Sequence, residues 1–162
     1  RRVEDVNSKT VVEELQAGDV FIKGANAINY ERGQSALLIG HPAGGTSGAA
    51  IGTLIAKRVT LLVPAGLEKN IPGDLNETAA LVEAAHPAVP RPIPALWPIP
   101  GELFTEIEAL ELLTGCDVVQ VAAGGVAGAE GSVRLVLEGN EDQVAGARTL
   151  FAGVLGEPPF IG

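Results

Sequence analysis

Leu37-Leu38-Ile39-Gly40-His41-Pro42-Ala43-Gly44-Gly45-Thr46-Ser47-Gly48 is the stretch on which the fold turns. An apolar run, a glycine-rich turn and a small-residue segment follow one another without a gap. The order predicts a buried strand feeding a helix over 48–58, with Thr46 or Ser47 as its N-cap. A helix N-terminus carries amides with no acceptor one turn back and a partial positive charge, so it favours an anion. Glycines let the backbone adopt φ > 0 and approach a ligand closely.

Outward from this stretch, Thr60-Leu61-Leu62-Val63 is continuously apolar, as in a strand covered on both faces. Strand, helix and strand with short joints predict a right-handed parallel crossover. Lys57 and Arg58 fall in the last helical turn, where cations complement the dipole. Upstream, Thr10-Val11-Val12-Glu13 has capping-box form and Gly18 closes the helix it opens. Asp19 to Lys23 reads as a strand, and Gly24 to Asn29 as a loop at its C-terminal end. Downstream, Asp74-Leu75-Asn76-Glu77 opens a further helix that stops before His86-Pro87.

Pro87 to Pro100 holds six prolines around Trp97. Proline fixes φ and lacks an amide donor, so an extended connector is expected, with Trp97 lying over an apolar surface. Beyond it, 101–114 reads as a helix closed by Gly115, and Asp117 to Val121 as a strand. A small-residue turn follows, then the alternating Ser132 to Glu138, an antiparallel partner. Asn140-Glu141-Asp142-Gln143 caps a last helix to about Gly153. The expected fold is α/β, with a Rossmann-like three-layer N-terminal half of parallel strands. A proline-rich connector joins it to an α-β-β-α sandwich half. The halves are 1–90 and 91–162, which can also pack as one compact domain.

Charge and composition narrow the function. The net charge is −9, with 20 acidic against 11 basic residues, which argues against a nucleic-acid surface. Hydrophobic residues make up 46% of the chain and aromatics only 4%, so the core must be aliphatic and tightly packed. Cys116 stands alone, which rules out an internal disulfide and reads as a small core residue. No metal-ligand spacing accompanies it. No apolar run approaches the roughly 18–20 residues that cross a bilayer. Arg1-Arg2 is followed by Glu4-Asp5 and not by an apolar signal region, so a cytoplasmic protein without a membrane partner is expected. The chain does not begin with Met, as expected if its true start has been trimmed.

The Gly40–Gly48 turn is the candidate site. It lacks the Gly-Lys-Ser/Thr ending of a P-loop and a well-spaced Gly-x-Gly-x-x-Gly, so the sequence names no cofactor. Gly40, Gly44, Gly45 and Gly48 shape the turn, and Thr46 and Ser47 add hydroxyls. If the two strands are parallel, Lys23, Asn26 and Asn29 leave the first strand at the same edge, where α/β sheets collect ligands. His41 at the strand exit is the candidate acid or base. Glu106, at the edge of the apolar stripe of Leu103, Ile107 and Leu110, is a second candidate base or else part of a solvated helix face. Two readings of the turn stay open: an anion site, or glycines that serve only helix–sheet packing.

Gly18 to Ala27, Gly40 to Gly48 and Val59 to Pro64 together resemble the sugar-phosphate isomerase and CoA-transferase-like α/β superfamily. The resemblance implies a Rossmann-like sheet carrying a phosphate or acyl-CoA on glycine-rich loops. Glu108 to Leu150, with Glu138-Gly139-Asn140 before a Val/Ala-rich helix, is similar in layout to ferredoxin-like and microcompartment-shell domains, which implies a homo-oligomer. The leading expectation is a protein that binds a small anionic metabolite at Gly40–Gly48: a phosphate, nucleotide or acyl-CoA group. The competing one is a non-enzymatic assembly module.

Overall fold

The computed structural model describes residues 8–88 and 93–156. The chain separates into two compact units, Arg1–Phe104 and Thr105–Gly162. Along the first run α1 (Ser8–Glu14), β1 (Val20–Ile22), β2 (Ala27–Asn29), β3 (Gln34–Ile39), α2 (Gly45–Lys57), β4 (Thr60–Pro64), α3 (Leu75–Ala85), β5 (Ala95–Ile99) and β6 (Glu102–Phe104). The second holds α4 (Glu106–Thr114), β7 (Asp117–Ala123), β8 (Val133–Glu138) and α5 (Glu141–Val154). The class is α/β, with parallel strands in the first unit.

The parallel strands are not the pair that the sequence order suggests. β1, β4 and β6 form one three-stranded parallel sheet, and β2, β3 and β5 form a second, antiparallel one. The β3–α2–β4 crossover therefore connects two sheets instead of two neighbours in one. β4 is central in its sheet, and its Leu61 and Val63 are buried, as an apolar central strand requires. Helix α2 turns Ser47, Ala50, Ile51 and Leu54 inward, the i, i+3, i+4, i+7 spacing of a helix packed on one face.

Three local expectations are corrected. Ala27–Asn29, read as loop, is a fully buried strand paired with β3. The proline-rich connector becomes regular from Ala95 to Ile99, where β5 pairs antiparallel with Ser35 to Ile39 of β3. Pro98 is tolerated because β5 is an edge strand. Its partner Ala36 gives its carbonyl to Asn26 N–H on the β2 side, so the Ala36–Pro98 pair needs no amide from proline. Residues 89–92 of the connector lie outside the described residues. The helix expected over 101–114 begins only at Glu106, because Glu102–Phe104 pairs with β4 as β6. These two pairings bring β5 and β6 into the first unit, and the units divide after Phe104.

Helix starts also move. Thr10 lies inside α1 (Ser8–Glu14), and α2 begins at Gly45 with Gly44 as N-cap. Asp74 does cap α3, accepting from the amides of Asn76 and Glu77. In the second unit the order is α-β-β-α as expected, β7 and β8 are antiparallel, and Asn140 with Gln143 forms a capping box. Gly115 closes α4 at φ 71°. Cys116 is buried and unbridged. Among the described residues no helix is long and apolar enough to cross a membrane.

Candidate functional site

A hollow of about 200 Å³ lies where β1 and β3 end and α2 begins. Lys23, Asn26, Gly40, His41, Gly44, Gly45, Thr46 and Ser47 line it, with Leu37, Leu38 and Ile39 of β3. Seven of the eight residues read from the sequence as ligand-binding are thus gathered there, with His41 beside them. Gly48 is not in the lining. A side chain at Gly48 would run into the Ala43 carbonyl oxygen, so this glycine serves close packing of the turn.

The turn is built from backbone. Gly44 N–H donates to the His41 carbonyl at 2.9 Å, and Gly48 N–H to the Gly44 carbonyl at 2.9 Å, which starts the helix. Gly44 and Gly45 take φ 73° and 58°, and this left-handed pair is why two glycines stand together. No side chain caps α2. Thr46 and Ser47 sit within the first turn instead of before it; Ser47 is buried and Thr46 exposed. The amides of Gly45, Thr46 and Ser47 have no carbonyl one helical turn earlier to bind.

Two side chains are held by local bonds that define what they can offer. His41 Nδ1 accepts from Ala43 N–H at 3.0 Å, so the neutral ring carries its proton on Nε2. That tautomer donates to an anion, and its lone pair is already engaged, which argues against a general base. Asn26 Oδ1 accepts from Leu38 N–H at 2.9 Å, continuing the β2–β3 pairing past the end of β2 and leaving the Nδ2 hydrogens to donate. Lys23 N–H donates to the Leu62 carbonyl at 3.0 Å, and its side chain makes no ion pair among the described residues.

Every polar side-chain group described above can donate a hydrogen bond. The lining contains no carboxylate, in a chain with 20 Asp and Glu against 11 Lys and Arg. No acidic residue occupies the first turn of α2 either. The volume is below the roughly 300–1,000 Å³ of an ordinary small-molecule pocket, so the hollow fits a phosphate or carboxylate group and not a whole nucleotide.

The remaining candidates lie elsewhere. Asn29 is buried and engaged at both ends of its amide: its Nδ2 donates to the Gly73 carbonyl at 2.6 Å and its Oδ1 accepts from Arg32 N–H at 3.0 Å. Glu106 is the first residue of α4 and lines an apolar cavity of about 500 Å³ within the second unit, with Leu110, Leu135 and Phe151. Glu68 pairs with Lys69 at 2.7 Å in a short turn after β4. Partial burial pushes the Glu68 carboxyl up, but its bond to Lys69 and the Lys69 charge outweigh that and leave it below the usual range. Among the described residues no group of three or more His, Cys, Asp and Glu side chains could hold a metal ion. No family model, curated protein or solved structure matches this chain.

Proposed function

We propose that this protein binds the anionic group of a small metabolite, a phosphate or a carboxylate, at the start of α2. One observation carries the reading: a hollow lined by Lys23, His41, Asn26, Thr46 and three α2 amides, with no carboxylate, in a strongly acidic protein. The amides and the helix dipole supply a fixed positive end. Lys23 adds a full charge, and His41 Nε2–H and Asn26 Nδ2 add direction. The rest of the ligand, whether sugar, nucleoside or acyl chain, projects beyond the hollow. In this reading the protein works in the cytoplasm and acts as a binder, since the lining offers no base other than the engaged His41 ring.

Titration of the labelled protein with inorganic phosphate tests it. Saturable shifts of the Gly45, Thr46 and Ser47 amides are expected, and Lys23→Ala should weaken binding about tenfold, the equivalent of one surface charge contact worth roughly 1.4 kcal/mol. Amides of α2 that stay still at millimolar phosphate would end the proposal.

A second reading, an assembly module, has its own support. Val119, Val121 and Val136 of the β7–β8 pair are 59%, 58% and 51% exposed. Sedimentation decides it: a dilute monomer eliminates this reading and leaves the anion site untouched.

A further inference from the structure

Resting on the assembly reading, we propose that the free edge of β8 is where a second copy of this chain docks. The two β8 strands pair antiparallel, with Val136 opposite Val136 of the partner subunit, and join the two hairpins into one four-stranded sheet ordered β7-β8-β8-β7. Both strands of the second unit's sheet are edges, because the sheet has only two. They are not equally open. β7 carries an extra residue, Val121, where its register against β8 shifts between Gln120 and Ala122. A bulge of this kind bends an edge away from a new partner.

β8 has no such guard. Its six residues contain neither proline nor glycine and carry no extra residue. Among the described residues, no backbone–backbone bond outside the β7 ladder reaches Val133–Glu138. The amides and carbonyls that point away from β7 therefore form a template for another strand. Apolar cover also runs out on this side. Val118 of β7 is buried, whereas Val133, Leu135 and Leu137 on the same face of β8 are only half-buried. Val133 and Leu135 line the apolar cavity of about 500 Å³.

The side chains fit a copy of themselves. Arg134 and Glu138 each stand two residues from Val136, and all three are exposed on the outer face. A two-fold axis through Val136 sets Arg134 opposite Glu138 of the partner subunit, and on the inner face Leu135 opposite Leu137 of the partner subunit. A slip of one residue would set Arg134 opposite leucine, so the pattern specifies the register. Within one chain Glu138 lies opposite Asp117 across the β7–β8 pair, both exposed. Among the described residues neither carboxylate forms an ion pair, and neither does Arg134. Like charges directly opposite repel, and Arg134 of the partner subunit supplies the cation that this end of the sheet lacks.

Sedimentation of the full chain should show a dimer. Arg134→Glu and Glu138→Arg each place like charges at both symmetric contacts, so each should weaken association at least about tenfold. Mixed in equal amounts, one variant offers two acids and the other two bases along β8. The mixture should therefore associate at least as tightly as the parent, a rescue that a folding defect cannot produce. In a mixture of isotope-labelled and unlabelled parent, filtered NOEs should join the backbones of the two β8 strands around Val136. A dilute monomer ends the assembly reading and this pairing together. A dimer indifferent to the charge reversals, or not restored by mixing, overturns the β8 pairing and leaves assembly through another surface. A dimer that obeys the mixing rule without backbone contact between the β8 strands is a stack of sheet faces, and overturns the edge pairing as well.

Discussion

Gln34 and Asp74 clamp the start of α3 to strand β3 across 40 residues of sequence: Gln34 Nε2 donates to Asp74 Oδ2 at 2.9 Å. The other end of the same amide, Oε1, accepts from Leu75 N–H at 3.0 Å. Asp74 Oδ1 meanwhile caps the helix, accepting from the amides of Asn76 at 2.8 Å and Glu77 at 3.4 Å. Arg32 completes the cluster with an ion pair to Asp74 at 3.3 Å. One carboxylate thus ties a β-turn, a strand and a helix together.

The Gln34 bond first, then the Asn76 amide, hold the Asp74 carboxyl below the usual aspartate range. A depressed folded value means that its stabilisation is present above the ordinary aspartate range and is lost as pH falls through the lowered value. Asp74→Asn keeps a capping oxygen but replaces Oδ2, the acceptor of Gln34 and Arg32, with an NH2 donor, so it should lose this stabilisation at neutral pH and flatten the acid limb of stability. Asp74→Ala also removes the cap and should destabilise further at neutral pH. Urea melts of the three proteins at neutral and acid pH check this, and an unchanged acid limb in Asp74→Asn would refute it.

Gly45 and Gly52 lie in the same helix and should respond oppositely to alanine. Gly45 holds φ 58°, a conformation that costs an L-residue roughly 1–2 kcal/mol. Gly52 is exposed within α2 with nothing within 4 Å of an added Cβ, so Gly52→Ala should stabilise by about 0.4–1 kcal/mol. Thermal melts that rank the two variants the other way would show the turn geometry to be wrong.

Gly48→Ala tests the turn from behind. The added methyl meets the Ala43 carbonyl, which is backbone and cannot rotate aside. Overpacking of this kind costs about 1–3 kcal/mol, and the displaced loop should weaken phosphate binding as well. A variant as stable as the parent, with unaltered phosphate affinity, contradicts the packing.

Cys116 is 2% exposed, and its Sγ lies 3.1 Å from where a Cβ on Gly139 would stand. The native thiol should therefore react with an aromatic disulfide reagent only as fast as the second unit opens. Gly139→Ala should crowd both Cys116 and Gln143, lower stability by about 1–3 kcal/mol and speed the labelling. Rapid labelling of the folded parent would show that the thiol is not enclosed.

What could be read from the sequence is what local chemistry determines. Asp74, Gly115 and the Asn140–Gln143 box mark helix ends because a cap bonds amides or carbonyls only a few residues away. β4 shows in its apolar run, and β8 in its alternation. The α4 box was missed: Thr105 accepts from Ile107 N–H while Glu108 reaches back to Thr105 N–H at 2.7 Å. The Thr-x-x-Glu spacing was there to find, but the apolar stripe of 103, 107 and 110 drew the helix start too early. For the site, the glycines and Lys23 were legible, yet the stated reason, parallel pairing of the first two strands, was not the one that brings them together.

Residue order alone settled the caps at Asp74, Gly115 and Asn140, the apolar strand β4, the acid-rich charge balance and the glycine turn at residues 44–45, since each depends on contacts within a few bonds along the chain. Only the folded molecule decided that Ala27–Asn29, Ala95–Ile99 and Glu102–Phe104 are strands, and which sheet each joins. Short strands hold few contacts of their own and exist through partners distant in sequence, so their pairing is a property of the assembled core. The same holds for the meeting of Lys23 with the start of α2.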